Sequence, residues 1–402
     1  MDSKSKRLLI VLYAGDYREA YYRLANGQSE TYHAHRYAIE SISKLGKQID
    51  EAAVLCCYSK EPYNELVEPG FRVIGTGFDR NQAAKHLIKF IADQRPTHLV
   101  VRAPIKEILQ WGIAHGIHTI TLLADSFQNQ SLKHKFRNFQ LARLLNNPQI
   151  EWVGNHGVNA CQNLQQIGVK PSKIVPWDWV YSITPSHYTA KHLPQRQKPW
   201  ELVYVGSISE AKGVSDLIEA VSILKQQGVA AKLKIAGKGN LTPFHQQISK
   251  LNLEAEVSFL GLVAHNSVID LMRNSDFVLV PSRPEYPEGF PLTIYEGFCS
   301  RTPIIASDHP MFRHNLVHQE NAMIYAAAKP QALAKAVTTL INNPDLYHQL
   351  SKNSEQAWQA LQVPVKWADL IQQWLMPAPD LGEKWIQKHC LSSYSYRKTK
   401  KT

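Results

Sequence analysis

The sequence predicts an α/β protein of two Rossmann-like parallel-sheet domains facing a central cleft, and three observations lead there. At 402 residues the chain is long for one core, since domains usually run to about 100–200 residues. Short β-branched and leucine-rich runs alternate with longer segments of helical period, as in βα units on a parallel sheet. That alternation occurs twice, on either side of a proline-rich interruption.

In the first half, strands are expected at 7–13, 51–57, 98–102, 118–123 and 152–154, with helical segments at 33–44, 81–94 and 105–115. Residues 185–199 hold Pro185, Pro194 and Pro199 among polar residues without periodicity, which suits an exposed linker. The second half offers strands at 201–205, 231–236, 257–260, 277–280 and 303–306, with helices at 214–227 and 244–250 among them. The expected division is a domain over 1–190 and another over 200–365. A helical segment over 366–390 would pack back on the first, ahead of a basic tail over 391–402. In such sheets ligands bind at the carboxyl ends of the strands.

Lys4, Lys6 and Arg7 precede the apolar run Leu8 to Ala14, but that run is short and is followed by Asp16, Arg18 and Glu19 without a small-residue cleavage site. It reads as a strand rather than a signal peptide. No segment reaches the roughly 18–20 apolar residues that cross a bilayer, so a cytoplasmic location is expected. The odd cysteine set, Cys56, Cys57, Cys161, Cys299 and Cys390, lacks metal-like or redox-like spacing and suits reduced, packed thiols.

The net charge is +11. Much of it lies in Lys384, Lys388, Arg397, Lys398, Lys400 and Lys401, a stretch without an acidic residue, and a second knot is Lys133, Lys135 and Arg137. Such segments are either solvated or drawn to an anionic partner, here a membrane surface at the inner face or a phosphorylated acceptor. No nucleic-acid-binding signature accompanies the charge.

The chemistry concentrates in 281–296, which follows an apolar strand. Its prolines and glycine demand a loop, and Pro291 suits the first helical position, where its missing N–H costs nothing. The N–H groups of Phe290, Leu292 and Thr293 would then point out of a helix start that favours a phosphate. Glu288 lies before that helix and Glu296 within it, placed to accept paired hydrogen bonds from a sugar diol and a ribose diol. The plainer alternative is that Glu288 complements the helix dipole and Glu296 is solvated. Two earlier loops strengthen the ligand reading. Gly206 to Gly213 follows a strand and carries Ser207 and Lys212, a cation able to reach a phosphate. Gly237 and Gly239 follow the next strand and permit close backbone approach.

The order of Gly206 to Gly213, Gly237 to Gly239, Phe259 to Gly261, Asp276 to Ser282 and Glu288 to Glu296 resembles the retaining glycosyltransferases of family 4, with the GT-B fold, over roughly residues 200–345. The resemblance implies that Glu288 contacts donor-sugar hydroxyls, that Gly289, Phe290, Pro291 and Leu292 bind sugar and diphosphate through backbone, and that Glu296 holds the ribose. It implies that Lys212 neutralises the departing diphosphate, so no metal and no separate cofactor is needed beyond the nucleotide-sugar substrate. Where the family has an arginine, this chain has Ser207, and Arg283 is a candidate replacement. On the acceptor side only Gly27 remains of a paired-glycine loop, and Ala124 stands where many relatives carry a histidine, followed by Asp125 and Ser126. His33 and His35 are spaced for different sides of a helix, not for a metal, and Trp177 and Trp179 read as packing.

The expected activity is retaining transfer of a hexose-type sugar from a UDP- or GDP-sugar to a saccharide or lipid-linked acceptor, in polysaccharide or glycolipid synthesis. Two alternatives stay open. One is a nucleotide-sugar-binding protein weakened in transfer, and the other is a GT-B-like phosphorylase or epimerase.

Overall fold

The computed structural model describes residues 5–13, 15–79, 84–129, 131–195, 199–377 and 382–393. Of the basic tail, Arg397, Lys398, Lys400 and Lys401 lie outside the described residues, as do Lys4, Ala14 and the start of the helix expected at 81–94. The chain divides into two compact units, one of residues 1–30, 34–180 and 363–402, the other of 31–33 and 181–362.

In the first unit the strands are β1 (Arg7–Leu12), β2 (Glu51–Cys56), β3 (Pro62–Glu68), β4 (Phe71–Thr76), β5 (His98–Val101), β6 (His118–Leu123), β7 (Ile150–His156) and β8 (Ile174–Trp177). They form one sheet in the order β3-β4-β2-β1-β5-β6-β7-β8. Every pairing is parallel except β3 with β4, an antiparallel edge that the sequence reading lacks. Edge strand β3 reads PYNELVE, with a proline and acidic side chains that discourage further pairing and break the apolar pattern of a buried strand. Central β1, by contrast, buries Leu8 to Leu12 on both faces, the continuous apolar run of a covered parallel strand. Helices α1 (Tyr17–Ala25), α2 (His35–Gly46), α3 (Leu87–Asp93), α4 (Lys106–Ala114), α5 (Leu132–Leu145) and α6 (Gly157–Gln166) connect the strands. Asp16 caps α1 by accepting from the N–H groups of Arg18 and Glu19.

The second unit holds β9 (Trp200–Val205), β10 (Ala231–Ala236), β11 (Val257–Gly261), β12 (Phe277–Val280), β13 (Ile304–Ser307) and β14 (Met323–Tyr325), all parallel, in the order β11-β10-β9-β12-β13-β14. The order reverses between β9, β10 and β12, so the loops after β9 and β12 leave the sheet in opposite directions, the usual place for a ligand. Its helices are α7 (Val214–Gln226), α8 (Thr242–Lys250), α9 (His265–Arg273), α10 (Leu292–Cys299), α11 (Pro330–Ile341) and α12 (Pro344–Leu361). Leu202, Leu217, Leu233, Phe277, Leu333 and Tyr347 are among the buried side chains of its core.

Residues 185–195, expected as an exposed linker, are instead tied to the second unit. Lys191 donates from Nζ to the carbonyls of Arg273 and Ser275, Ser351 Oγ accepts from its N–H, and Arg301 Nε donates to the Pro185 carbonyl. Prolines signalled irregular backbone correctly, but the side chains that hold it in place lie far along the sequence.

Helices α13 (Trp367–Leu375) and α14 (Gly382–His389) belong to the first unit, where Val363, Val365, Trp367, Leu370 and Leu375 are buried. The N–H of Asp178 donates to the Val365 carbonyl and that of Trp367 to the Asp178 carbonyl. Trp177 and Trp179 are buried beside Trp367, with the Arg102 guanidinium over all three rings. All five cysteines are free and buried.

Candidate active site

The loop after β9 is pulled against the loop after β10. Ile208 N–H donates to the Lys238 carbonyl at 2.8 Å, and Gly206 N–H to the Ala236 carbonyl at 3.0 Å. A Cβ on Gly239 would collide with the Ile208 carbonyl, and one on Gly237 with that of Gly206, so side-chain-free backbone is required here. Gly213, at φ 74°, ends the first loop in the left-handed region and starts α7 directly against the Pro281 carbonyl. The Arg283 N–H donating to the Ala211 carbonyl ties in the loop after β12. Gly206, Gly237 and Gly239, singled out from sequence as ligand-facing glycines, thus also make the loops fit one another.

That assembly brings Lys212 and Glu288 together. Lys212 Nζ donates to Glu288 Oε1 at 2.6 Å and to Oε2 at 2.9 Å, and both side chains are largely buried. The ammonium lies 4.4 Å from the centre of the Tyr286 ring, and Ser282 Oγ donates to Glu288 Oε1 at 3.3 Å. Glu288 therefore does more than complement a helix dipole.

Helix α10 begins at Leu292, with Pro291 as its N-cap rather than its first residue, because Pro291 has an extended ψ of 135°. The N–H groups of Leu292 and Thr293 stand in the first turn, where helix geometry provides no acceptor. Thr293 Oγ1 donates to the Val205 carbonyl and pins this helix start to the end of β9. Phe290 is buried edge-on to Tyr295 and Phe312, leaving Gly289 and Pro291 to carry the backbone from Glu288 to the helix.

Glu296 is buried, not solvated, and burial pushes its carboxyl up to about 7. His265 Nδ1 approaches Glu296 Oε1 at 3.4 Å, and its Nε2 lies 2.9 Å from His33 Nδ1. His33 stacks on Tyr181, which stacks on Tyr295. His265 had no sequence signal, since its partners are 31 and 232 positions away. His35 turns elsewhere, edge-on to Tyr17.

Arg283, the candidate replacement for the arginine absent at Ser207, is committed to carboxylates. Its Nε and one Nη bond the two oxygens of buried Asp216 at 2.9 and 2.7 Å, and Glu210 Oε1 lies at 2.7 Å. These partners raise its already high pKa, led by the Asp216 hydrogen bonds. Ser207 is exposed, and its carbonyl accepts from the Tyr204 hydroxyl at 2.6 Å.

His309 also escaped the sequence reading. Its Nδ1 accepts from the Met311 N–H, so the proton resides on Nε2, which donates to the Tyr286 carbonyl at 3.1 Å. Burial lowers its pKa and favours this neutral ring, which braces the loop leading to Glu288.

In the first unit, Asp125 and Ser126 follow β6 and are half-buried. Asn155 clamps the Asp125 backbone, accepting from its N–H and donating to its carbonyl. Burial raises the Asp125 carboxyl to about 6, against the opposing pull of the Ala124 N–H and the Arg102 charge. Gly27, at φ 72°, follows the end of α1, where its N–H donates to the Leu24 carbonyl, a helix-terminating role that needs no ligand.

The description "Glycosyl transferases group 1" belongs to the family model that matches residues 189–357. EpsD of Bacillus subtilis is 26% identical over 196 residues, which are 48% of this chain and 49% of that protein. The chain thus spans about half the length of this curated relative. The GDP-mannose-dependent alpha-(1-6)-phosphatidylinositol dimannoside mannosyltransferase of Mycobacterium tuberculosis is 26% identical over 270 residues, 62% of this chain and 67% of that protein. Among solved structures, HepE of Anabaena in complex with UDP and glucose has a TM-score of 0.61 at 16% identity, over 89% of this chain and 95% of HepE. The fold is that of the GT-B glycosyltransferases, and the second unit carries the segment matched by glycosyl transferases group 1.

Proposed function

We propose that the chain is a retaining glycosyltransferase of family 4 that moves a hexose-type sugar from a UDP- or GDP-sugar to a saccharide or lipid-linked acceptor. The observation that carries this reading is the Lys212–Glu288 pair beside the start of α10, inside the matched segment. Lys212 and the first-turn N–H groups supply positive potential for a diphosphate leaving group, the task a metal ion performs elsewhere, so transfer proceeds without one. Glu288 takes the sugar hydroxyls and Glu296 the ribose, with backbone contacts from Gly289 to Leu292. The acceptor lies on the side of Gly27, Asp125 and Ser126.

A weakened nucleotide-sugar-binding protein is favoured by one observation, the pairing of Arg283 with Asp216, which engages the candidate replacement for the cation absent at Ser207.

The two readings separate by experiment. Calorimetry against UDP- and GDP-sugars identifies the donor, and mass spectrometry of the products with an acceptor panel reports transfer. Transfer that is lost in Glu288→Ala at a temperature where circular dichroism shows the variant folded, with the anomeric configuration kept in the wild-type product, supports the enzyme. Donor binding without transfer supports the binding protein, and undiminished turnover in Glu288→Ala sinks the site assignment.

A further inference from the structure

Helix α5 carries apolar residues on two opposite faces, and the core explains only one. Asn138, Leu141, Ala142 and Leu145 are buried against the first unit. Leu132, Phe136 and Phe139 point away, 84%, 64% and 64% exposed. Their i, i+4, i+7 spacing puts them within about 60° of arc, a ridge along the solvent side of a helix advancing about 1.5 Å per residue.

The charge on this helix is of one sign. Lys135 flanks the ridge on one side, Lys133 and Arg137 on the other, and Arg143 continues it into the last turn. No acidic residue occurs between Ser131 and Ile150. Lys106, on the neighbouring α4, donates to Gln140 Oε1 at 2.8 Å and adds a further cation beside the ridge. Ser131 caps the helix by accepting from the His134 N–H, so the helix is formed before anything covers it.

We propose that α5 docks this protein on an anionic lipid bilayer, with Leu132, Phe136 and Phe139 entering the headgroup region and Lys133, Lys135, Arg137 and Lys106 pairing with lipid phosphates. A protein partner would need apolar and acidic surface in matching places. A bilayer offers an apolar layer beneath anionic charge, the same vertical order as ridge and flanks. None of the helices among the described residues is long and apolar enough to cross a membrane, so α5 lies in the interface and does not span. The inference stands apart from the transfer reading, because vesicle binding requires no donor, acceptor or turnover.

The test is co-sedimentation of the full chain with vesicles of phosphatidylcholine and phosphatidylglycerol in equal parts, set against pure phosphatidylcholine. The wild type is expected to partition at least about tenfold more onto the anionic vesicles. Phe136→Ser with Phe139→Ser should lose about tenfold or more of that binding, with the unfolding midpoint unchanged because both side chains are exposed. Lys133→Gln, Lys135→Gln and Arg137→Gln together should remove most of its salt dependence. Phe139→Cys carrying an environment-sensitive fluorophore should shift to the blue on vesicles. Equal partition of the serine variant, or no binding by the wild type, overturns the proposal. So does a wild-type dimer, abolished by the serine substitutions, without vesicle binding.

Discussion

Lys212 Nζ reaches both carboxylate oxygens of Glu288, so the cation and the anion of the candidate site neutralise each other across 76 positions of sequence. A bound diphosphate would have to draw Lys212 partly away from this partner, and sugar hydroxyls would take up the acceptor capacity that Glu288 regains. Under the proposed function, the free pair thus holds together the two groups that would contact the donor.

Breaking that pair from either side leaves a buried charge without its partner, at a cost of about 3–5 kcal/mol. Lys212→Ala and Glu288→Ala are each expected to destabilise the second unit by that order. The double variant should cost clearly less than the sum, with a coupling above about 1 kcal/mol. Denaturant unfolding of the four proteins measures it, and additive single effects would show the pair to be energetically idle.

Arg283 and Asp216 make a second ion pair with a different consequence. The Asp216 carboxylate is buried and the guanidinium grips both its oxygens. Arg283→Met should therefore cost about 3–5 kcal/mol of stability. If the guanidinium serves the scaffold rather than the diphosphate, donor affinity should fall by less than about threefold. A large loss of donor affinity with little loss of stability, read by calorimetry and thermal unfolding, would give Arg283 back the role of a phosphate ligand.

Glu296 predicts a pH dependence. Its folded pKa, about 7, lies above the ordinary value of 4.5, so its favourable contribution is complete below pH 4.5 and is lost as pH rises through 7. Where protonated, His265, 3.4 Å away, works against that loss. Glu296→Gln keeps the shape and removes the titration. The stability of Glu296→Gln relative to wild type should be flat below pH 4.5 and rise between 4.5 and 7 by up to a few kcal/mol, then level off. A flat difference from pH 4 to 8 in denaturant unfolding would refute it.

Most of the parallel strands were legible because burial on both faces writes a continuous apolar run, as in β1 and β12, but the buried parallel strands β4 and β8 were not, β4 carrying Arg72 and Gly75 and β8 Pro176 within a short run. Strand β3 was not, since an edge strand is selected for polarity, and β14 is only three residues long. Lys212, Glu288 and Glu296 were picked out by the order of the glycine loops and strands around them and by the family resemblance that this order carries, since each alone reads equally well as a surface or helix-end residue. The neighbours that give them their state were not: His265, His309 and Asp216 come from other loops and helices, and no spacing rule connects them. In α5 the sequence showed Lys133, Lys135 and Arg137 as a basic knot. Its apolar residues fall on two opposite faces, so they blur the single-sided periodicity by which helices are recognised.

The return of residues 363–377 and 382–393 to the first unit bears on how the chain is made. Val365 and Trp367 bracket Asp178, and Leu391 joins the core that begins with Leu9. As the polypeptide leaves the ribosome, residues 181–362 can close around their own core while the earlier unit still lacks its last helices. The first unit is thus completed only after the second has been made, so its fold waits on a segment from the far side of another core.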